Sequence, residues 1–442
     1  MKKYFGTDGV RGIANTELTN AFAYQCGRAM ARYLEKKDAK IALGMDTRVS
    51  SPMLASALQS GLMAEGADVV FLGVVPTPAV AFLTREHSMD MGVMISASHN
   101  PFPYNGIKLI NGDGFKLSDE EELKIEQIID TLPTEEVWGK ELGTYIDGRE
   151  LVEDYLGHIK SLIPEGFQGM KVAVDAGDGV MSHIAPRLFK ELGAEVHCIY
   201  CDGDGSKINN NSGSTCPEKV ATLVKETNCD VGIAFDGDAD RVIFADENGK
   251  VVDGDHVIAY AASAYASAGE LEGNGVVTTT MSNQGFEDFL TEKGIHLVRA
   301  DVGDKYVMEE MIRHGYVLGG EQSGHIIFLH HNTMGDGLQT AVLILRLLKI
   351  LKEKASRVGS LFKDYPQVLV NAHAESTLKK TYLENPTIAK AIQDLKERHP
   401  DFRLLIRPSG TEPCIRVMIE GKEEELINRE AEKIKNIIEG EN

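Results

Sequence analysis

Two short segments of this chain carry residue types that could do chemistry together. The first is Met94-Ile95-Ser96-Ala97-Ser98-His99-Asn100-Pro101, in which an apolar strand runs into a small polar loop closed by proline and displaying two serines. A hydroxyl at the end of a rigid element is well placed to act as a nucleophile, and Ser96 and Ser98 both qualify. The second is Asp236-Gly237-Asp238-Ala239-Asp240-Arg241. Carboxylates at a spacing of two would, in extended backbone, fall on one side and form a hard, oxygen-rich site suited to Mg²⁺. Glu247 stands where a calcium-binding EF-hand has its last ligand, but Arg241 occupies the position that needs glycine, and Val231–Phe235 and Val242–Ala245 read as strands where an EF-hand has helices. A serine that carries phosphate needs charge neutralised beside it, which the metal site would supply. His99 and Lys108 are close enough in sequence to assist proton movements.

Two further loops fit the same chemistry. Arg407-Pro408-Ser409-Gly410-Thr411 combines a cation capable of bidentate contacts, two hydroxyls and a glycine that lets backbone N–H groups approach an anion, and Arg416 adds charge nearby. In Gly320-Glu321-Gln322-Ser323-Gly324-His325, Glu321 and Ser323 offer an acceptor and a donor at a spacing that suits paired sugar hydroxyls. Arg241 and His325 complete the candidate substrate contacts. Asp202-Gly203-Asp204-Gly205 has only two carboxylates among Gly and Ser, and reads as a turn.

The elements that must position these loops alternate between apolar strands and helical patterns, which predicts α/β units with largely parallel sheets. A first region has strands at Ile41–Gly44, Val69–Leu72 and Gly92–Ile95, with a helix opening at Ser51-Pro52 in which Ser51 is the expected cap. A second has strands at Lys171–Asp175 and Val231–Phe235 and a helix near Ala185 to Leu192. A third has strands at Gly275–Thr278 and His296–Arg299 and a long helix from about Asp336 to Leu351. The tail from about Gln367 differs, with a helix near Ile388 to Arg398, strands at Phe402–Ile406 and Ile415–Ile419, and a charged terminal helix. Polar linkers are expected near 143–150, 253–255 and 363–366. The fold class is thus three similar α/β domains with mixed, largely parallel sheets plus a smaller C-terminal α+β domain around a central cleft. The expected segments are 1–150 bearing the serine loop, 151–254 the metal loop, 255–366 the sugar loop and 367–442 the phosphate loop.

A chain of 442 residues suits roughly two to four domains of ordinary size. With 67 acidic against 46 basic residues its formal charge is −21, which argues against nucleic acid and anionic membranes as partners and requires a local cationic cluster for any anionic substrate. The six cysteines have no repeated CxxC spacing and read as reduced core thiols. No stretch has the length of a membrane span or the apolar core of a signal peptide, so a cytoplasmic location is expected. Monomer and homodimer are both open.

Together the four loops, in this order, resemble those of the α-D-phosphohexomutases over essentially the whole chain. Tyr4-Phe5-Gly6-Thr7-Asp8-Gly9-Val10-Arg11-Gly12 and the Gln322 loop are similar to the bacterial branch that acts on glucosamine phosphate, whereas relatives acting on mannose or glucose phosphates usually have Met or Glu at the Gln322 position. The resemblance implies that Ser98 becomes phosphoserine and, with Asp236, Asp238 and Asp240, holds one Mg²⁺ per chain. It implies Arg11 and Lys108 beside that group, Glu321 and Ser323 on the sugar, and Arg407, Ser409, Gly410, Thr411 and Arg416 on the substrate phosphate. The family motif begins with Thr where this chain has Ser96. The implied activity converts glucosamine 6-phosphate and glucosamine 1-phosphate through a 1,6-bisphosphate, which also serves as activator, and feeds UDP-N-acetylglucosamine and cell-wall precursor synthesis. The alternatives are a phosphomutase for glucose or mannose phosphates, or a phosphosugar-binding protein without turnover.

Overall fold

The structure, a computed structural model, describes residues 2–6, 8–132, 141–409 and 413–440. It divides into two units, the first comprising Met1–Ser282 and Lys293–Leu361, the second Asn283–Glu292 and Phe362–Asn442.

The first unit holds three mixed sheets. Strands β1 (Val10–Ile13), β2 (Lys40–Met45), β3 (Asp68–Val74), β4 (Met91–Ile95), β5 (Tyr104–Asn111) and β6 (Tyr145–Asp147) lie in the order β1-β5-β4-β2-β3-β6. β4, β2, β3 and β6 run parallel, and β5 is antiparallel to β1 and β4. Helices α1 (Asn20–Leu34), α2 (Ser51–Ala64), α3 (Thr77–Glu86) and α4 (Asp119–Asp130) cover this sheet, and α5 (Val152–Ser161) follows it. α1 and α2 cross closely because each presents glycine: a Cβ on Gly27 would sit 2.2 Å from the Leu58 carbonyl, and one on Gly61 2.1 Å from that of Tyr24. β6 falls inside the segment expected to be a linker; it pairs with the edge of the sheet at Val69–Phe71. Ser51, expected as a cap, is instead the first helical residue, and its hydroxyl donates to Asp46.

In the second sheet β7 (Lys171–Asp175), β8 (Glu195–Ile199), β9 (Val231–Phe235), β10 (Val242–Asp246) and β11 (Val251–Val252) take the order β11-β10-β9-β7-β8, flanked by α6 (Met181–Glu191) and α7 (Glu218–Thr227). β9 and β10 are fully buried and antiparallel, so the aspartate loop joins two core strands as a hairpin. The third sheet uses β12 (Gly275–Thr279), β13 (His296–Ala300), β14 (Leu318–Gly320) and β15 (Ile326–Phe328) in the order β13-β12-β14-β15, with α8 (Gly254–Ala268), α10 (Asp304–His314) and α11 (Gly337–Leu351). Asp336 caps α11, its side chain accepting the N–H of Gln339.

Within the second unit α9 (Gln284–Glu292) is joined by β16 (Gln367–His373), α12 (Ser376–Thr381), α13 (Pro386–Arg398), β17 (Arg403–Pro408), β18 (Cys414–Glu420) and α14 (Glu424–Glu439). Its sheet is wholly antiparallel, in the order β16-β18-β17, over a core that includes Ile388, Val417, Ile427 and Ile434. Among the described residues no helix is long and apolar enough to cross a membrane. Cys26, Cys229 and Cys414 are core thiols as expected; Cys198 is exposed and Cys201 and Cys216 are half-buried, so the expectation fails for these three.

Candidate active site

β4 ends at Ile95 and delivers the serine loop in a strained conformation. Ser98 has φ 51°, in the left-handed region that costs a side-chain-bearing residue roughly 1–2 kcal/mol, so its surroundings must hold it there. They do so through its carbonyl. The fully buried Arg48 donates to the carbonyls of Ser98 (2.9 Å), Asn100 (2.7 Å), Pro101 (2.6 Å) and Tyr104 (3.0 Å), while its Nε binds Asp46 at 2.9 Å. From the second sheet's side, Asn209 Nδ2 donates to the carbonyls of Ser98 (2.8 Å) and Asn100 (3.1 Å). Ser96 is buried, donates to Asp46 at 2.7 Å and accepts the Ser98 N–H at 2.9 Å. Both sides of its hydroxyl are therefore committed, and of the two candidate nucleophiles only Ser98 faces the acidic loop. Asp46, Arg48 and Asn209 escaped the sequence reading; charged residues directly after a buried strand, as in Asp46-Thr47-Arg48, were the available signal.

The Asp236–Asp240 segment is a tight turn and not the extended backbone expected. The Ala239 N–H donates to the Asp236 carbonyl at 3.1 Å and Ala239 adopts φ 57°, so the carboxylates converge by curling and not by alternation. Three distant segments clasp the turn: the N–H groups of Thr77, Val180 and Gly337 donate to the carbonyls of Asp238, Gly237 and Ala239, each at 3.0 Å. The result is a buried group in which one oxygen of each aspartate lies within 4.8 Å of the others. The Ser98 hydroxyl donates to Asp236 at 2.6 Å. Lys108 Nζ reaches Asp238 at 2.7 Å and Asp240 at 3.1 Å, and Thr77 Oγ1 donates to Asp238 at 2.5 Å.

Electrostatics distinguish these groups. Burial, then Asp240 and Asp238, push the Asp236 carboxyl well above the usual range. Burial would also raise Asp240, but Lys108, His325 and Arg241 hold it below that range. Burial works against the Lys108 ammonium, yet Asp238, Asp240 and Asp8 hold it well above its ordinary value, so Lys108 is a fixed cation and not a proton carrier at neutral pH. Among the described residues Asp238 Oδ1 and Asp240 Oδ1 remain buried without a hydrogen-bond partner. Buried carboxylate oxygens left bare in this way fit a bound cation, and the group could hold a metal ion.

Beside the turn lies a cavity of about 420 Å³ lined by Asp8, Arg11, His99, Asp240, Arg241, Gly303, Asp304, Glu321 and His325, among others. Arg11 pairs with Asp8 and donates to Asn100 Oδ1 at 3.3 Å. Lys116 bridges Asp8 and Asp304, and His325 Nε2 lies 3.2 Å from Asp304. Asp8, Lys116 and Asp304 were not singled out from the sequence. Burial, Arg241 and Arg11 push His99 down to about 4, so it is neutral at pH 7; its Nδ1 lies 3.3 Å from the Ser98 hydroxyl. Burial opposes protonation of His325, but Asp304 raises it above its ordinary value. Ser323 donates to Glu321 at 3.0 Å. Gln322 turns away from the cavity lining: its amide donates to Asp253, the cap of α8, at 3.0 Å.

In the second unit Arg407 on β17 stands directly opposite Arg416 on β18. The two arginines expected from the sequence on the substrate phosphate are thus brought together on neighbouring strands. Ser409 follows β17 with its N–H on the Cys414 carbonyl at 2.9 Å. Gly410 and Thr411 lie outside the described residues.

Comparison with known proteins gives a match to each of four family models along the chain: phosphoglucomutase/phosphomannomutase alpha/beta/alpha domain I over residues 2–136, domain II over 153–249, domain III over 253–367 and the C-terminal domain over 369–437. The phosphoglucosamine mutase of Alkaliphilus oremlandii (strain OhILAs) is 48% identical over 447 residues, covering 99% of each chain. That of Clostridioides difficile (strain 630) is 46% identical over 448 residues, again covering 99% of each. A phosphoglucomutase/phosphomannomutase family protein from Burkholderia thailandensis superposes with a TM-score of 0.82 at 24% identity, covering 100% of this chain and 99% of the other. The N-acetylphosphoglucosamine mutase of Aspergillus fumigatus, in complex with GlcNAc-6P and magnesium, superposes at 0.70 with 18% identity, covering 99% and 96%. At these identities the two structures attest the fold alone.

Proposed function

This chain belongs to the phosphoglucomutase/phosphomannomutase family, and from that premise we propose that it is an isomerase that interconverts glucosamine 6-phosphate and glucosamine 1-phosphate through a phosphorylated Ser98. One observation carries the reading: the Ser98 hydroxyl, held in a strained loop, is aimed at a buried three-carboxylate group. A binding protein has no need of that arrangement. The amino-sugar preference is supported by relatives near 48% identity that are named phosphoglucosamine mutases.

In the forward direction the phosphorus of phosphoserine 98 is transferred to O1 of the 6-phosphate sugar. The Ser98 Oγ–P bond breaks as the O1–P bond forms, and the proton given up by O1 ends on the freed serine oxygen. The 1,6-bisphosphate then turns round, and its 6-phosphoryl group returns to Ser98 as the O6–P bond breaks and the serine proton ends on O6, leaving the 1-phosphate. Asp236, Asp238 and Asp240, with the phosphoserine, would hold one Mg²⁺, which when bound neutralises phosphoryl oxygen charge. Lys108, Arg11 and Arg241 supply fixed positive charge around the transferring group, and neutral His99 can exchange a proton at the serine oxygen. Glu321 and Ser323 read sugar hydroxyls, assisted by His325. Arg407 and Arg416, with Ser409, take the phosphate that is not being transferred; contacts that read only the phosphate accept the intermediate in either orientation. The bisphosphate also primes unphosphorylated enzyme. The reading places the enzyme in the cytoplasm, upstream of UDP-N-acetylglucosamine and cell-wall precursors.

The test is a comparison of catalytic efficiency on glucosamine 1-phosphate, glucose 1-phosphate and mannose 1-phosphate, with intact-mass measurement of the enzyme. The amino sugar should be turned over most efficiently by a singly phosphorylated chain. Preference for a hydroxyl sugar would make it a general hexose phosphomutase, and binding without turnover would make it a phosphosugar-binding protein.

A further inference from the structure

Among the described residues, four carboxylates line the cavity beside the serine loop: Asp8, Asp240, Asp304 and Glu321. Three of them are already engaged. Asp240 belongs to the three-aspartate group, and Glu321 holds the Ser323 hydroxyl. Asp8 has a cation on each oxygen, Lys116 on Oδ1 and both Arg11 and Lys108 (3.3 Å) on Oδ2. Asp304 differs, because its ion pairs to Lys116 and to His325 Nε2 (3.2 Å) both fall on Oδ2. Among the described residues its Oδ1 accepts only the backbone N–H of Lys305, at 2.8 Å. An ionised carboxylate has about four acceptor positions, so one is left over on a side chain that is 14% exposed and lines the cavity. Burial would raise the Asp304 carboxyl, but Lys116 and His325 hold it well below the usual range, so it stays an anion.

Its place in the fold decides what it can read. β13, β12 and β14 are parallel, and Asp304 follows β13 as Glu321 follows β14, so both residues stand at the same end of one sheet. They are also tied together: the Glu321 N–H donates to the His325 carbonyl at 2.9 Å, and the His325 ring meets Asp304. In a glucosamine phosphate the hydroxyls that take no part in phosphoryl transfer are those on C3 and C4, which makes them the pair for Glu321 and Ser323. C2 adjoins C3. We propose that Asp304 selects the amino sugar, its carboxylate accepting a hydrogen bond from the ammonium on C2; this rests on the glucosamine phosphate reading above. A C2 hydroxyl fits the same place without the charge, and charge-assisted hydrogen bonds are roughly twice as strong as neutral ones. Reversal of the bisphosphate carries C2 to the other end of the site, so the contact serves one isomer of the pair. Asp304 touches no reacting atom and is a specificity residue.

Catalytic efficiency is measured for wild type, Asp304→Asn and Asp304→Ala on the 1-phosphates and 6-phosphates of glucosamine and glucose, with circular dichroism as the check on folding. For one isomer the glucosamine-to-glucose ratio should fall roughly tenfold or more in Asp304→Asn. Asp304→Ala reads the same ratio if the amide variant does not fold. Parallel losses on both sugars would mean that Asp304 only positions Lys116 and His325, and would overturn the proposal. An unchanged ratio for both isomers, in a wild type that prefers glucosamine phosphate, would overturn it alone. A wild type that prefers glucose phosphate would overturn the glucosamine reading, and this proposal with it.

Discussion

Replacing Ser96 and Ser98 one at a time with alanine separates a supporting hydroxyl from a reacting one. The Ser96 hydroxyl makes a charge-assisted bond to Asp46 at 2.7 Å, worth about 1.5–3 kcal/mol, and accepts the Ser98 N–H at 2.9 Å, worth about 1 kcal/mol. Ser96→Ala should therefore destabilise the first unit by roughly 3 kcal/mol and lower its melting temperature. Ser98 would keep the restraints from Arg48 and Asn209 but lose one of its anchors at φ 51°. If half of the roughly 1–2 kcal/mol strain at that residue relaxes into misplacement, turnover per folded molecule drops by about tenfold or less. Ser98→Ala loses the bond to Asp236, whose carboxyl is already pushed toward its protonated form, and the long 3.3 Å contact with His99 Nδ1. Its melting temperature should barely move, its turnover should fall to background and it should carry no phosphate. Calorimetry, a coupled mutase assay and phosphopeptide mapping read these quantities. The reasoning fails if Ser96→Ala melts like the wild type but is inactive, or if Ser98→Ala still turns over.

Asp238→Asn should weaken Mg²⁺ or Mn²⁺ binding at least about tenfold in isothermal titration, because it removes charge from the buried group; an unchanged affinity refutes the assignment. Arg407→Ala should raise KM for both phosphosugar isomers roughly tenfold to a hundredfold, since it removes a charge-assisted contact to the phosphate. Equal kinetics would rule out the docking role. Asp336, the cap of α11, is pushed up to about 6 by burial. The folded state thus holds a proton that the unfolded chain releases nearer 3.8, so this group's stabilising contribution is complete below about pH 4 and is lost as pH rises to 6, up to about 3 kcal/mol. Asp336→Asn should flatten the melting-temperature profile across that window, and an unaltered slope would contradict the linkage.

The chemistry of the site was legible because its residue types are local: a serine after a strand, clustered carboxylates, arginine with glycine and hydroxyls. Its support was not, because the supporting partners lie far away in sequence. Arg48 meets the Ser98 carbonyl across 50 residues and Asn209 meets it across 111, and nothing in either neighbourhood announces the encounter. The aspartates were correctly grouped on an incorrect backbone, since spacing alone does not distinguish alternation along a strand from the curl that Ala239 imposes. Lys108 was read as a proton carrier because its lysine chemistry permits it; the three carboxylates that hold it charged appear only in three dimensions. Gln322 served as a family marker, but its amide braces Asp253. β6 was missed because a three-residue edge strand with exposed side chains has no hydrophobic alternation to show.

The clasp around the aspartate turn also fixes when the site can come into being. Ser98 meets Asp236 across 138 residues, Thr77 meets Asp238 across 161, and the turn's last holding bond comes from Gly337. Contacts of such span must overcome loop-closure entropy before they contribute, so they form late, after the separate sheets have collapsed. During synthesis the serine loop leaves the ribosome well before the carboxylates it faces, and the clasp cannot close until α11 has followed. A nascent or misassembled chain therefore displays a serine with no charged partner, and phosphate on Ser98 would record that the chain had finished folding.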